Sequence, residues 1–242
     1  MPLDCYAPNT KYKHLENTIY KKSIKNLSDY NYNVIKPSKN KKLGSNKSAI
    51  GKKGSFKDYR MYTLTLEERA TCPKSCFHWS TCFGNNMPFA HRISHFNQEL
   101  LEQKIISDLD LYCSKQYGVL LRTHVLGDFF NIRYVLFWES MLEKYPNLAL
   151  YGYTAYLPED SNKQYSEIGL EIKRLVKKFG NRFAIRFSNS FKESFSANSA
   201  DIMKAVKGES IVCPEQTKLT DNCTTCALCW DCPTKKILFI TH

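Results

Sequence analysis

Four cysteines recur at every third position near the C-terminus, Cys223, Cys226, Cys229 and Cys232, with Pro233 after the last and Cys213-Pro214 a short way upstream. This pattern constrains the fold more than any other feature. Thiols spaced C-x2-C fall on one side of a tight turn, where they can serve a common centre and leave the segment little freedom to be an ordinary helix or strand. A second group lies early in the chain, where Cys72, Cys76 and Cys82 are spaced C-x3-C-x5-C within one loop. Ten cysteines in 242 residues need either disulfides or metal to account for them. The N-terminus shows no basic segment followed by an apolar stretch, and there is no run of about 18 apolar residues to span a membrane. The expectation is a reducing cytoplasm, no membrane, and metal ligation.

The run from Cys223 to Pro233 is close to the ferredoxin ligand pattern, whose fourth cysteine serves a different cluster. We assign Cys213, Cys223, Cys226 and Cys229 as one four-thiolate set. Cys232 is then either spare or the fourth ligand of the early group. Read instead as two C-x2-C pairs, the same residues would bind zinc. Cys72, Cys76 and Cys82 would hold three irons of a cubane cluster, or, with His78 added, a Cys3His zinc site. Cys113 falls on the apolar side of a helical repeat and reads as a core residue. Cys5 has no evident partner.

Beyond residue 60 the pattern alternates between strand and helix. Strands are expected over 61–66, 119–126, 148–154, 182–188, 210–212 and 237–241. Helices are expected over 95–115, 131–145, 161–179 and 198–207. Alternation of this kind implies a parallel sheet built from βαβ units, an α/β fold, with about six strands forming a partial (βα)6-like barrel. Chemistry in such folds gathers in loops after the strands, and both cysteine groups follow strands here. Asp128 sits just beyond the second strand, as a functional carboxylate or a helix cap. Thr154, Arg186 and Ser188 lie at the ends of the third and fourth strands, and His124 lies inside the second.

Residues 1–56 read as a basic arm, and 57–242 as a single iron–sulfur domain. The net charge is +12, and residues 1–60 hold fourteen of the basic residues against four acidic ones. Such an arm can attract nucleic acid through counterion release. Tyr12, Tyr20, Tyr30, Tyr32 and Ile35 equally give it apolar groups to bury against the domain. Deleting residues 1–40 is expected to leave the metal sites largely intact, and on the packing reading truncation lowers solubility or exposes the clusters to oxygen.

Several pieces in order resemble the phage gene product 88 family of cysteine-rich proteins: Leu64-Thr-Leu66, Thr71-Cys-Pro73, Cys82-Phe-Gly84, Arg122-Thr-His124, Gly127-Asp-Phe129, Tyr151-Gly-Tyr-Thr154, Arg186-Phe-Ser188 and Cys213-Pro-Glu-Gln216. They span residues 61 to about 240. That family is similar to radical S-adenosylmethionine enzymes. The resemblance implies a phage protein in the host cytoplasm, with one or two 4Fe–4S clusters, the second of them auxiliary. It also implies S-adenosylmethionine at an open iron near Cys72, Cys76 and Cys82, with Gly127, Asp128, Thr154, Arg186 and Ser188 toward that cofactor, an electron donor, and a substrate the sequence does not name. The chain departs from the usual C-x3-C-x2-C spacing, and Leu126-Gly127-Asp128 stands where those enzymes carry a Gly-Gly-Glu-like turn. A non-enzymatic iron–sulfur protein and a zinc-stabilised nucleic-acid-binding module remain the alternatives.

Overall fold

In a computed structural model, residues 10–44, 56–159, 165–188, 190, 194–197, 210–232 and 235–240 are described. The apolar run Gly118–Arg122 forms a strand buried on both faces, as in the interior of a parallel sheet. In chain order the strands are β1 (Ile24–Lys25), β2 (Lys36–Pro37), β3 (Tyr59–Thr63), β4 (Arg92–Ile93), β5 (Gly118–Arg122), β6 (Leu148–Thr154), β7 (Phe183–Phe187), β8 (Ser194–Ala197), β9 (Ser210–Val212) and β10 (Lys236–Ile240). The long helices are α1 (Gln98–Cys113), α2 (Ile132–Lys144) and α3 (Glu167–Phe179).

β3, β5, β6 and β7 lie side by side and parallel, and β2 joins β3 antiparallel. β8, β10 and β9 form a separate parallel sheet, and β1 pairs with β4. The fold is thus mixed α/β with a mostly parallel main sheet. Each helix begins at a side-chain cap: Asn97, Asn131 and Ser166 accept from the amides of Leu100, Tyr134 and Gly169, satisfying otherwise orphan donors. The expected strand over 119–126 leaves the ladder after Arg122. Residues 123–126 instead run beside Leu64–Leu66, with the Val125 amide donating to Leu64 and the Leu66 amide to Leu126. The Thr123 carbonyl presses so close to Gly152 that a Cβ there would sit 1.6 Å from its oxygen, so Gly152 alone lets β6 pass. The expected helix over 198–207, Cys5 and Pro233 lie outside the described residues.

The period of two along the strands sorts side chains onto two faces. Tyr62, Val119, Leu121, Leu148, Leu150, Phe183 and Ile185 pack with the helices in one core. Met61, Leu120, Ala149 and Tyr151 turn the other way and pack with Phe56 and Trp230. The cysteine-rich segment therefore covers the sheet face opposite the helices. Cys113 is half-buried and packs against the helix-side core.

The arm is part of this architecture. Leu27, Tyr30, Val34 and Ile35 are buried, whereas Tyr32 is exposed. The Asp108 carboxylate on α1 accepts from the amides of Val34 at 2.7 Å and Ile35 at 2.8 Å, which pins the arm to the helix layer. Among the described residues no helix is long and apolar enough to cross a membrane.

Candidate metal centre

The loop after β3 carries the first cysteine group. Two buried arginines build its frame. Arg92 pairs with Glu68 at 2.6 Å and also donates to the carbonyls of Gly84, Met87 and Ala90. Arg69, in a left-handed conformation at φ 65, donates to the Trp79 carbonyl and to Asn85 Oδ1. Short turns follow, in which the Cys72 amide donates to Arg69, the Cys76 amide to Pro73, and the Trp79 amide to Cys76.

Cys72 and Cys76 lie within electrostatic reach of Cys82 and of Asp128. Burial pushes all three thiols up, Cys76 to about 12, and the charges of Asp128 and of neighbouring thiolates push Cys72 and Cys76 further. Gly127 and Asp128 buttress the same loop. The Asp128 amide donates to Thr71 Oγ1 at 2.9 Å, and at Gly127, φ 82, a Cβ would meet Leu66 and Thr71 at 2.7 Å. The Asp128 carboxyl accepts from the amides of Phe129 and Ala155, at 2.8 and 2.7 Å. Burial nevertheless pushes it up to about 7. Thr154 is buried, its hydroxyl bearing on Asp128 and its carbonyl accepting from the Ser188 amide. Tyr156 Oη donates to the Thr71 carbonyl at 3.3 Å. His78 is half-buried, with Nδ1 3.5 Å from Thr81 Oγ1. His124 lies away from this group among Phe129 and Tyr134, with Nε2 3.2 Å from Tyr134 Oη.

The second group occupies two helical turns, Cys223–Cys226 and Leu228–Asp231, hinged at Ala227 in a left-handed conformation. Cys213, Cys223, Cys226 and Cys229 line one narrow cavity, together with Ala227 and Leu228. Cys232 is not among its walls. Arg186 on β7, 4% exposed, holds this segment by its backbone. It makes four hydrogen bonds, from Nε to the Cys229 carbonyl, from Nη1 to Lys235, and from Nη2 to Leu228 and Cys232. Its donors are thus spent on the second group, not on the loop near Asp128. Tyr153 Oη lies 3.1 Å from Cys229 Sγ. Arg122 favours the thiolates of Cys223 and Cys229, although burial holds both thiols above their ordinary range.

Buried polar atoms without partners gather here. Arg122 Nη1, Tyr151 Oη, Trp230 Nε1 and Thr220 Oγ1 have no hydrogen-bond acceptor among the described residues. The Thr220 hydroxyl faces Cys226 and favours its thiolate without completing a hydrogen bond of ordinary geometry. Four donors left open around four thiols is an unusual concentration, since buried donors are nearly always satisfied. Among the described residues, however, no three or more His, Cys, Asp or Glu side chains are grouped to hold a metal ion as they stand.

The arm braces both groups. Leu15 accepts from Trp79 Nε1, Asn17 from Arg69, and Glu16 pairs with Lys74. Further on, the Lys42 carbonyl accepts from the Cys223 amide at 2.8 Å, and Lys42 Nζ pairs with Glu215. The arm therefore contacts both cysteine groups, through residues 15–17 at the first and Lys42 at the second. A cleft of about 490 Å³, lined by Glu16, Asn17, Ile24, Glu67, His95 and Phe96 among others, opens between arm and loop, apart from the cysteine cavity.

Sequence reasoning did not reach Arg122, Tyr153, Arg69 or the Glu68–Arg92 pair. An arginine inside an otherwise apolar strand, such as Arg122 or Arg186, is the signal that was available, because a buried guanidinium requires acceptors. No family model, curated protein or solved structure matches this chain.

Proposed function

We propose that the chain binds iron–sulfur clusters through its two cysteine groups, on a partial barrel resembling that of radical S-adenosylmethionine enzymes. The observation that carries this reading is the single cavity lined by Cys213, Cys223, Cys226 and Cys229 and surrounded by open donors. Four thiols suit a soft metal centre, the one carboxylate among the cavity walls, Glu215, being paired with Lys42, and hydrogen bonds to sulfur are a normal part of cluster sites. Arg186 keeps the backbone carbonyls of this segment in place. Because burial keeps the free thiols protonated, metal binding must release protons.

A bound cluster supplies one-electron chemistry at low potential. At the first group, Cys72, Cys76 and Cys82 provide three thiolates and leave one position for another ligand. S-adenosylmethionine would be taken at this edge, where Gly127 and Asp128 follow the 123–126 segment and Thr154 and Ser188 lie at the ends of β6 and β7. Asp128 holds the Thr71–Cys72 turn there, and Arg186 serves the second group.

Anaerobic purification tests the reading. Brown protein containing iron and acid-labile sulfide supports it. Colourless protein with stoichiometric zinc would sink it and favour the zinc-stabilised module. Spectra of the reduced protein with and without S-adenosylmethionine then separate an enzyme-type first site, whose signal changes on addition, from a purely redox or structural one.

A further inference from the structure

The side chains under the second cysteine group form a cross-strand set. Arg122 on β5 pairs in register with Tyr151 on β6, and Tyr153 on β6 pairs with Arg186 on β7. All four share the sheet face covered by Trp230, by the same period of two that places Leu120, Ala149 and Ala184 there. The two arginines differ in what they do. Arg186 commits four of its five donors to backbone carbonyls. The Arg122 guanidinium sits over the rings of Tyr153 at 4.9 Å and Tyr151 at 5.3 Å, and its buried Nη1 has no acceptor among the described residues.

We propose that Arg122 and Tyr153 are the charge-compensating pair of the second cysteine site, making a cluster held by Cys213, Cys223, Cys226 and Cys229 more easily reduced than it would be without them. The inference rests on the iron–sulfur reading above. A 4Fe–4S cluster with four thiolates is already anionic, and reduction adds one electron and one negative charge while no bond is made or broken. In a poorly solvated cavity that added charge is costly unless a cation or hydrogen bonds to sulfur offset it. Arg122 supplies the cation, and the Tyr153 hydroxyl, 3.1 Å from Cys229 Sγ, donates to the thiolate. Tyr151 Oη and Trp230 Nε1 are further open donors on the same side. The electron comes from a low-potential one-electron donor, dithionite in the test.

The test is a reductive titration of the anaerobically prepared full-length protein, followed by electron paramagnetic resonance. The signal of the second site is the one lost in Cys226→Ser. Arg122→Gln and Tyr153→Phe are expected to keep their iron and sulfide and to shift that signal to more negative potential, the arginine change more strongly. Arg122→Lys, which restores the charge, is expected to recover most of the shift. Should Arg122→Gln fail to fold, Tyr153→Phe still decides, since it removes one hydroxyl and no charge. An unchanged potential in Tyr153→Phe and in any folded Arg122 variant overturns the inference while leaving the iron–sulfur reading standing. Absence of iron from the wild-type protein overturns that reading itself and is seen before any variant is titrated.

Discussion

Arg186 donates through Nη2 to the carbonyl of Cys232 at 2.6 Å, and so ties the end of the cysteine run to the last strand of the main sheet. Together with its bonds to Leu228, Cys229 and Lys235, this makes one side chain the backbone anchor of the second site.

Arg186→Leu is expected to leave buried carbonyls unpaired and to lower the unfolding free energy by about 3 kcal/mol. Urea unfolding measures this. Iron uptake at the second site should fall with it, because the loop that carries the thiols loses its support. Unfolding at the wild-type midpoint would show that water replaces the guanidinium without cost.

The cysteines are expected to separate by role. Cys226→Ser or Cys229→Ser should lose about half of the bound iron, as one of two clusters is disrupted. Cys232→Ser and Cys113→Ser should retain it, because Cys232 does not line the cavity and Cys113 packs against the helix-side core. Loss of iron from the Cys113 variant would contradict its place as a packing residue.

His124 gives the protein an acid sensitivity. Burial lowers its pKa to about 3 from 6.5, so it stays neutral in the folded chain. Below about pH 6.5 the unfolded chain binds a proton that the folded chain does not. Stability is therefore present above that pH and is lost progressively as pH falls toward 3, by an amount on the order of 3–5 kcal/mol at most. Thermal unfolding across pH 4–7 should show this slope in the wild-type protein and a shallower one in His124→Gln. Equal slopes would show that other groups set the acid response.

The arm is expected to behave as part of the domain. Asp108→Ala removes the acceptor for the buried amides of Val34 and Ile35 and should cost about 2–4 kcal/mol. Limited proteolysis should then cut within residues 26–44 earlier than in the wild-type protein. Deleting residues 1–40 should reduce metal binding at the first group, since Leu15 and Asn17 are lost with it. A truncated protein that keeps its full iron content would restore the view of a separable arm.

Local features of the sequence determined much of this. The strand and helix periods are written in neighbouring residues, so the parallel pairing of Met61, Leu120 and Leu148 regions and the caps at Asn97, Asn131 and Ser166 follow from short-range pattern. The thiols of Cys223, Cys226 and Cys229 belong together for the same reason: a spacing of three places them on adjacent helical turns. Only the tertiary structure decided the rest. Arg186 binds carbonyls, which every residue possesses and no sequence distinguishes, so its partners appear only once the chain has returned to cover β7. Arg122 acquires its place beside Tyr153 and the cysteines because Trp230 closes that face of the sheet, a contact between residues far apart in the chain. The arm's apolar groups, Tyr30 and Ile35 among them, were legible as groups to bury, but its anchor was not, because the amides that reach Asp108 carry no side-chain signal.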